Sequence, residues 1–399
     1  MVERHGVERH GVERYGVERG ALAGLLGGEP GYRVDQVWDG LHRRLLDPLA
    51  MTDLPLAVRR RLDEELRPAL GAGQEHVSDD GATHKWLWRL HDGALIETVL
   101  MHYDERTTVC VSSQAGCAMA CSFCATGQAG FERNLSVGEI VEQVVRAARQ
   151  ARPRRLSNVV FMGMGEPLAN YDRVWAALRR LHHDLGLSAR HLTVSTIGVV
   201  PGIDRMAGED LPVNLAVSLH AANDADRQRL VPLARRYPLA ELTAACRRYL
   251  AATGRRLSFE WALIAGVNDR PGDVAELAAL ARPLRAHVNL IPLNPTPGYA
   301  APGTPPGGVR SFCRQLRALG VNATVRHNRG TGIDAACGQL RAHDARTVSR
   351  SPTRTASTRT SPALTIPPGQ TTDRTRVPST TAPAPTTDTP PDAARLAAR

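Results

Sequence analysis

Lysine is all but missing from this chain. Lys85 is the only one in 399 residues, so arginine supplies 49 of the 50 basic side chains. A net charge of +10 and an isoelectric point near 9.7 would suggest an anionic partner, nucleic acid first. The skew weakens that inference, because it reads as codon bias as much as selection for phosphate. Residues 342–399 weaken it further: their eight Arg against four Asp leave about +6 for the rest. No run of about 18 apolar residues occurs, which excludes a hydrophobic helical span. The opening MVERHGVERH also lacks the apolar core of an export signal. The sequence therefore predicts a cytoplasmic protein that does not enter membranes. A disulfide scaffold is excluded on other grounds. Seven cysteines is an odd number in a chain whose 42% hydrophobic content can build its own core, so metal or redox use of the thiols is the expectation.

The two ends differ from the middle. VERHG-VERHG-VERYG-VERG over residues 2–20 places glycine at every fifth position, a period too short for a solenoid and hostile to a helix, so residues 1–27 are expected to be disordered. From about Ala342 the chain is rich in Thr, Ser, Pro and Arg, with too few large apolar side chains to offset the entropy of ordering. Residues 342–399 are expected to form a flexible tail. Between the ends, EPGYRVDQVWDGLHRRLLDPLAMTDLPLAVRRRLDEEL shows helical periodicity broken at prolines and predicts a small helical accessory domain over 28–75. In HKWLWRLHDGALIETVLMHY, strand-like stretches flank His91-Asp92-Gly93, a hairpin signal.

Beyond the hairpin, strands and helices alternate: TTVCVSS, helix 136–150, SNVVFMGM, helix 172–185, HLTVSTI, VNLAVSLH, helix 239–252, RLSFEWALI, helix 272–282, HVNLIPLN and helix 307–319. Six such units predict an α/β core over 76–341, with a parallel sheet partly closed as a (β/α)6 barrel and extended by the hairpin. In a βα barrel the chemistry collects at the C-terminal strand ends. Glu166, Ser195, Ser218, His220 and Asn294 all fall there.

Cys117, Cys121 and Cys124 follow the first barrel strand with the spacing C-x3-C-x2-C. A structural zinc site needs a fourth ligand, and no Cys or His stands nearby at usable spacing. A redox pair of Cys121 and Cys124 leaves Cys117 unexplained. Three thiolates suit an iron–sulfur cluster, and a four-iron cluster held by three protein ligands keeps one iron open. GMGEPL, Gly163 to Leu168, fails as a dinucleotide fingerprint because Leu168 stands where the last glycine is needed. Taken alone, His220 reads as a satisfied polar residue at a strand end, Glu97 as an exposed strand residue, and Cys110 and Cys337 as small buried apolar residues. Cys246 and Cys313, on expected helices, read as packing residues.

The cysteine triplet with Phe123 before its last member, together with the Gly-Glu-Pro of GMGEPL, resembles the radical S-adenosylmethionine (SAM) superfamily. CVSSQAGC, GFERNL, MGMGEPLANYD, STIGVVP, AVSLHA, NLIPLNPTPG and DAACGQL, in that order, resemble the RlmN/Cfr family of RNA adenine methyltransferases from about Glu29 to Leu340, RlmN-type members above Cfr-type ones. The resemblance implies a radical SAM fold with a [4Fe-4S] cluster on Cys117, Cys121 and Cys124. It also implies SAM contacts at Gly165, Glu166, Ser195, Ser218, Leu219, His220 and Asn294. Gly332 is a departure, since family members often carry an acidic residue there in the loop that delivers Cys337.

Carbon 2 of adenine lies between two ring nitrogens and is too electron-poor to attack a methyl donor. The family's answer is to methylate a thiolate first, and Cys337 matches that carrier. A second SAM then supplies a radical that activates the S-methyl group for addition to the base, so two SAM are used per turnover. Glu97 matches the proton acceptor. Cys110 matches the resolving thiol, which forms a disulfide with Cys337 as the product leaves. The implied partners are 23S rRNA at the peptidyl transferase centre, transfer RNA as a second candidate, a flavodoxin- or ferredoxin-type electron donor and a thiol reductant, with the enzyme a monomer. The target base must be unstacked to reach a barrel mouth. The helical segment 28–75 would then grip RNA, or its arginines form a solvated face. Two rival readings stand beside this one: a Cfr-type enzyme acting on carbon 8 of the same adenine and conferring antibiotic resistance, and a non-catalytic iron–sulfur electron carrier that would leave Cys337 and the SAM segments unused.

Overall fold

A computed structural model describes residues 11–78, 80–296, 298–326, 330–335 and 338–340. Among them, ten strands form one sheet in strictly sequential order: β1 (Leu70–Val77), β2 (Thr83–Leu90), β3 (Leu95–His102), β4 (Thr107–Cys110), β5 (Asn158–Phe161), β6 (Leu192–Thr196), β7 (Asn214–Ser218), β8 (Leu257–Leu263), β9 (His287–Pro292) and β10 (Ala323–Val325). Strands β1 to β4 are antiparallel neighbours, and β4 to β10 run parallel. Each parallel step needs a crossover. Helices α4 (Val137–Gln150), α5 (Tyr171–His183), α6 (Val200–Ala207), α7 (Leu239–Thr253), α8 (Pro271–Ala281) and α9 (Pro306–Ala318) supply them in turn. The end strands β1 and β10 do not pair with each other, so the barrel is partial, as expected. The parallel set has seven strands where six were expected. The seventh, β10, is three residues long, too short to show alternation.

Strand register decides which side chains face the lumen. Val99 stands opposite Cys110 and Met101 opposite Thr108, and parallel pairing carries the row on through Val160, Thr193 and Asn214. Polar Thr108, Asn158, Thr193, Ser258, Glu260 and Asn289 line the lumen. The alternate positions Val109, Val159, Leu215, Phe259 and Leu290 are buried outward in the main core. Helix α4 illustrates how local sequence sets an element. Ser136-x-x-Glu139 forms a capping box, with Glu139 N donating to Ser136 Oγ (3.0 Å) and Ser136 N to Glu139 Oε2 (2.8 Å). Its apolar face buries Ile140, Val141, Val144 and Val145.

Two expectations about the N-terminal part are corrected. Helices α1 (Tyr32–His42) and α2 (Leu56–Glu65) form, but α2 stops at Glu65, and Leu70–Val77 is already the outer strand of the sheet. Nor is 28–75 a separate domain: Val37, Leu41, Val58 and Leu62 belong to the same buried cluster as the barrel. The repeat, expected to be disordered through residue 27, is folded from residue 11 onward. Val12–Glu13 pairs in parallel with Leu66–Arg67. Tyr15 and Val17 are 1% and 2% exposed, and the Arg180 guanidinium donates to their carbonyls at 3.0 and 2.7 Å. The third repeat unit differs from the first two by Tyr15 in place of histidine, which supplies the apolar anchor that the glycine period concealed. Residues 1–10 and the tail expected over 342–399 lie outside the described residues. No helix among the described residues is long and apolar enough to cross a membrane.

Candidate active site

At the C-terminal ends of the parallel strands lies a cavity of about 1020 Å³, measured to its open mouth. Cys117, Cys121 and Cys124 line it, and so do Gly165, Glu166, Ser195, Ser218, His220 and Asn294. Six of the seven residues expected to hold SAM therefore meet in one place. Leu219 does not line the cavity; it is fully buried, its N–H donates to the Glu260 carbonyl (3.0 Å), and its own carbonyl accepts from Arg227 Nε (3.2 Å).

The cysteines sit on a loop whose base is closed by antiparallel pairing of Gln114–Gly116 with Phe131–Asn134. Cys117 N donates to the Gly130 carbonyl (2.6 Å), and helix α3 (Ala125–Ala129) starts directly after Cys124. Phe123 packs edge-on against His220, with ring centroids 4.7 Å apart. Burial pushes the Cys117 thiol up to about 12 and Cys121 well above the ordinary thiol value, with Cys124 adding repulsion to both. These thiols stay protonated until an electrophilic metal draws out the thiolates. Among the described residues no three Cys, His, Asp or Glu side chains converge as a single ion requires. Three soft sulfurs spread around one cavity wall fit the edge of an iron–sulfur cluster.

Gly165 makes the opposite wall possible. Its φ is +100°, and a Cβ there would come within 2.6 Å of Gln114 Cβ. With that approach open, Glu166 N donates to Gln114 Oε1 at 2.8 Å. The Glu166 carboxylate accepts from Leu168 N (3.0 Å) on one oxygen and Ile197 N (2.9 Å) on the other, and the Thr196 side chain adds a further hydrogen bond. Burial nonetheless raises it to about 7. His220, at φ +58°, accepts the Ala262 N–H at Nδ1 (3.0 Å), so its proton sits on Nε2; burial lowers it to about 3, and the ring is neutral. Ser195 Oγ and Ser218 Oγ lie 3.5 Å apart. Buried Arg227 donates to the carbonyls of Leu219 and Ile197, tying the ends of β6 and β7 together.

Glu97 and Cys110 do not line this cavity. Both are buried, at 4% and 5% exposure, on the lumen face of β3 and β4. For Glu97 this replaces the exposed strand residue that sequence alone suggests, and Lys85 Nζ stands 3.1 Å from its Oε1. The Glu97 carbonyl accepts from Ser112 Oγ (2.6 Å), and Ser112 is in turn held by Gln143 through its N–H (2.8 Å) and its carbonyl (3.0 Å). Cys337 lies outside the described residues, but the chain on either side of it is described. Gly338 O accepts from Ala125 N (2.8 Å) and Leu340 O from Thr126 Oγ1, both on α3; Asp334 O accepts from Lys85 Nζ (3.4 Å). Cys246 and Cys313 are buried on α7 and α9, as expected of packing residues.

Sequence reasoning missed Glu260, which lines both the cavity and the lumen, accepts from Asn289 Nδ2 (2.7 Å), and is raised by burial. An acid at an inward position of the apolar strand RLSFEWALI was the available signal. Arg227 was missed as well, and nothing local marks it.

The Radical SAM superfamily profile matches residues 111–278. A protein of Salinispora tropica named probable dual-specificity RNA methyltransferase RlmN is 56% identical over 328 residues, covering 79% of this chain and 88% of that protein. A protein of the same name from Roseiflexus is 51% identical over 364 residues, covering 78% and 91%. The crystal structure of a radical SAM methyltransferase from Sphaerobacter thermophilus superposes with a TM-score of 0.80 at 52% identity, covering 83% of this chain and all of that one.

Proposed function

This chain belongs to the RlmN family of radical SAM RNA methyltransferases, and from that membership we propose that it methylates carbon 2 of an adenine in 23S rRNA, and of an adenine in transfer RNA. The observation that supports the reading is that two of the groups the reaction needs share one face, with the described chain on either side of the third bonded to neighbouring elements. Glu97 and Cys110 share the lumen face of adjacent strands, and the chain flanking Cys337 is bonded to Lys85 on one side and to the helix after Cys124 on the other.

Cys117, Cys121 and Cys124 would hold a [4Fe-4S] cluster, which when bound with SAM would supply one-electron radical chemistry. The rest is done by the chain's own residues. Glu166 as carboxylate would take the SAM ammonium, and His220, which lines the same cavity, carries its proton on Nε2. Cys337 accepts a methyl group from one SAM as S-methylcysteine; that methyl would give one hydrogen atom to the radical derived from a second SAM, and its carbon would bond to carbon 2 of the base. The Glu97 carboxylate takes the proton from carbon 2, and the adduct's unpaired electron leaves to the one-electron carrier. The Cys110 thiolate attacks the Cys337 sulfur; as the S–S bond forms the sulfur–carbon bond breaks, and the carbon keeps that pair and takes up a proton to become the methyl group of the released base. A flavodoxin- or ferredoxin-type donor and a thiol reductant restore the enzyme.

Mass spectrometry of RNA treated with reconstituted enzyme tests the reading. The expected product is 2-methyladenine; 8-methyladenine would reassign the enzyme to the Cfr type, and SAM left uncleaved at full cluster occupancy would leave only an electron carrier. Cys110→Ala should trap a protein–RNA adduct, and Cys337→Ala should abolish methylation while retaining the cluster.

A further inference from the structure

We propose that Lys85 is a positioning residue for proton removal: its ammonium keeps Glu97 a carboxylate directed into the lumen and anchors the segment that leads to Cys337. The proposal rests on the reading of Glu97 as proton acceptor. Lys85 is the only lysine in a chain that otherwise uses arginine at every basic position. In such a background a lysine marks a place where a planar fork does not serve and a compact three-donor head does.

The contacts give the reason. Lys85 and Glu97 side chains are 9% and 6% exposed, with Nζ 3.1 Å from Oε1, and the same nitrogen donates to the Asp334 carbonyl at 3.4 Å. Two acceptors in different directions suit an ammonium. The partners come from distant parts of the sequence, and register brings the thiol alongside. Lys85 stands opposite Val99, and Val99 opposite Cys110, so the three form one row across β2, β3 and β4, with Glu97 two residues before Val99 on the same face. Among the described residues, the other titratable or charged groups on the face the pair shares are His76 of β1, which stands opposite Lys85, Arg89 of β2 and Cys110 of β4, with Asp334 on the loop beside it; Glu75, His84 and His102 alternate to the other face. The Trp88–Thr98–Gln143–Ser112 hydrogen-bond chain, with links of 3.1, 2.9 and 2.8 Å, fixes the strand backbone that carries Glu97. A neighbouring cation favours the charged form of a buried carboxyl, and only that form can accept a proton. In the step itself one C–H bond breaks and one O–H bond forms on Glu97. The bonding pair stays with the adenine, and the ammonium keeps its protons.

The test uses cluster-loaded full-length enzyme and an RNA fragment, following 5′-deoxyadenosine, the covalent protein–RNA adduct and methylated adenine by rapid quench. Lys85→Met is expected to form 5′-deoxyadenosine and adduct at the wild-type rate but to break the adduct down about tenfold more slowly near pH 7, recovering toward about pH 9 as the carboxyl ionises without its cation. Lys85→Gln keeps a hydrogen-bonding head without the charge; it should give the same pattern and stands in if the Met variant does not fold. Wild-type breakdown with an unchanged pH profile overturns the proposal, and so does equal slowing of every step. Glu97→Gln runs alongside: if it also resolves the adduct normally, the failure lies in the assignment of Glu97, and if it stalls while both Lys85 variants do not, the failure is that of Lys85 alone.

Discussion

Glu166 shows how much a single environment can change a residue's chemistry. Its oxygens take two backbone hydrogens, which favours the ion, yet burial outweighs them and lifts the acid to about 7. On the proposed reading, the SAM ammonium pairs with the carboxylate. The affinity of cluster-loaded enzyme for SAM, measured by equilibrium dialysis, should therefore rise as pH passes upward through about 7, and Glu166→Gln should flatten that rise. The sign for stability is opposite. A folded-state value above the ordinary 4.5 means the neutral acid favours the fold, so this contribution is complete below 4.5 and is lost as pH climbs through about 7 in the absence of SAM. His220, lowered to about 3, stays neutral across that range and does not mimic the effect.

Elements form here for reasons of differing range. Helices α4, α5, α7, α8 and α9 lie within one or two residues of where periodicity and caps predict them, because a capping serine and a 3.6-residue apolar stripe are local facts. The repeat segment is the reverse case. Its glycine period opposes helix, and what orders it is Tyr15 packed among core residues and Arg180, 165 positions away. Tyr15→His turns the third unit into a copy of the first two and should cost roughly 3 kcal/mol, read from urea unfolding, by replacing a large buried ring with a polar one. A stability unchanged from wild type would show that the segment contributes nothing to the fold.

For the molecule as a whole, the decisive quantity is what the three cysteines hold. Anaerobically reconstituted protein should carry about four iron and matching sulfide per chain, with loss of both in Cys121→Ala. Stoichiometric zinc in their place would remove the basis of the reaction. The partial barrel explains how one scaffold serves both ends of the chemistry. Strand ends gather Gly165, Glu166, Ser195, Ser218, His220 and Asn294 around the cavity, while the antiparallel extension β1 to β3 brings Lys85 and Glu97 beside Cys110 on the same lumen face.

Sequence alone determined six of the seven parallel strands, helices α4, α5, α7, α8 and α9, the cysteine spacing and the polar residues at strand ends, because periodicity and short spacings are written within a few turns of chain. Roles for Glu97 and Cys110 were expected only through resemblance, since nothing local distinguishes them. Tertiary structure decided that Glu97 is buried against Lys85, that Leu219 does not line the cavity, that the repeat is folded from residue 11 onward, and that Lys85 reaches a carbonyl 249 residues away. Those outcomes depend on strand register and on contacts between segments far apart in the chain, which no window of sequence contains.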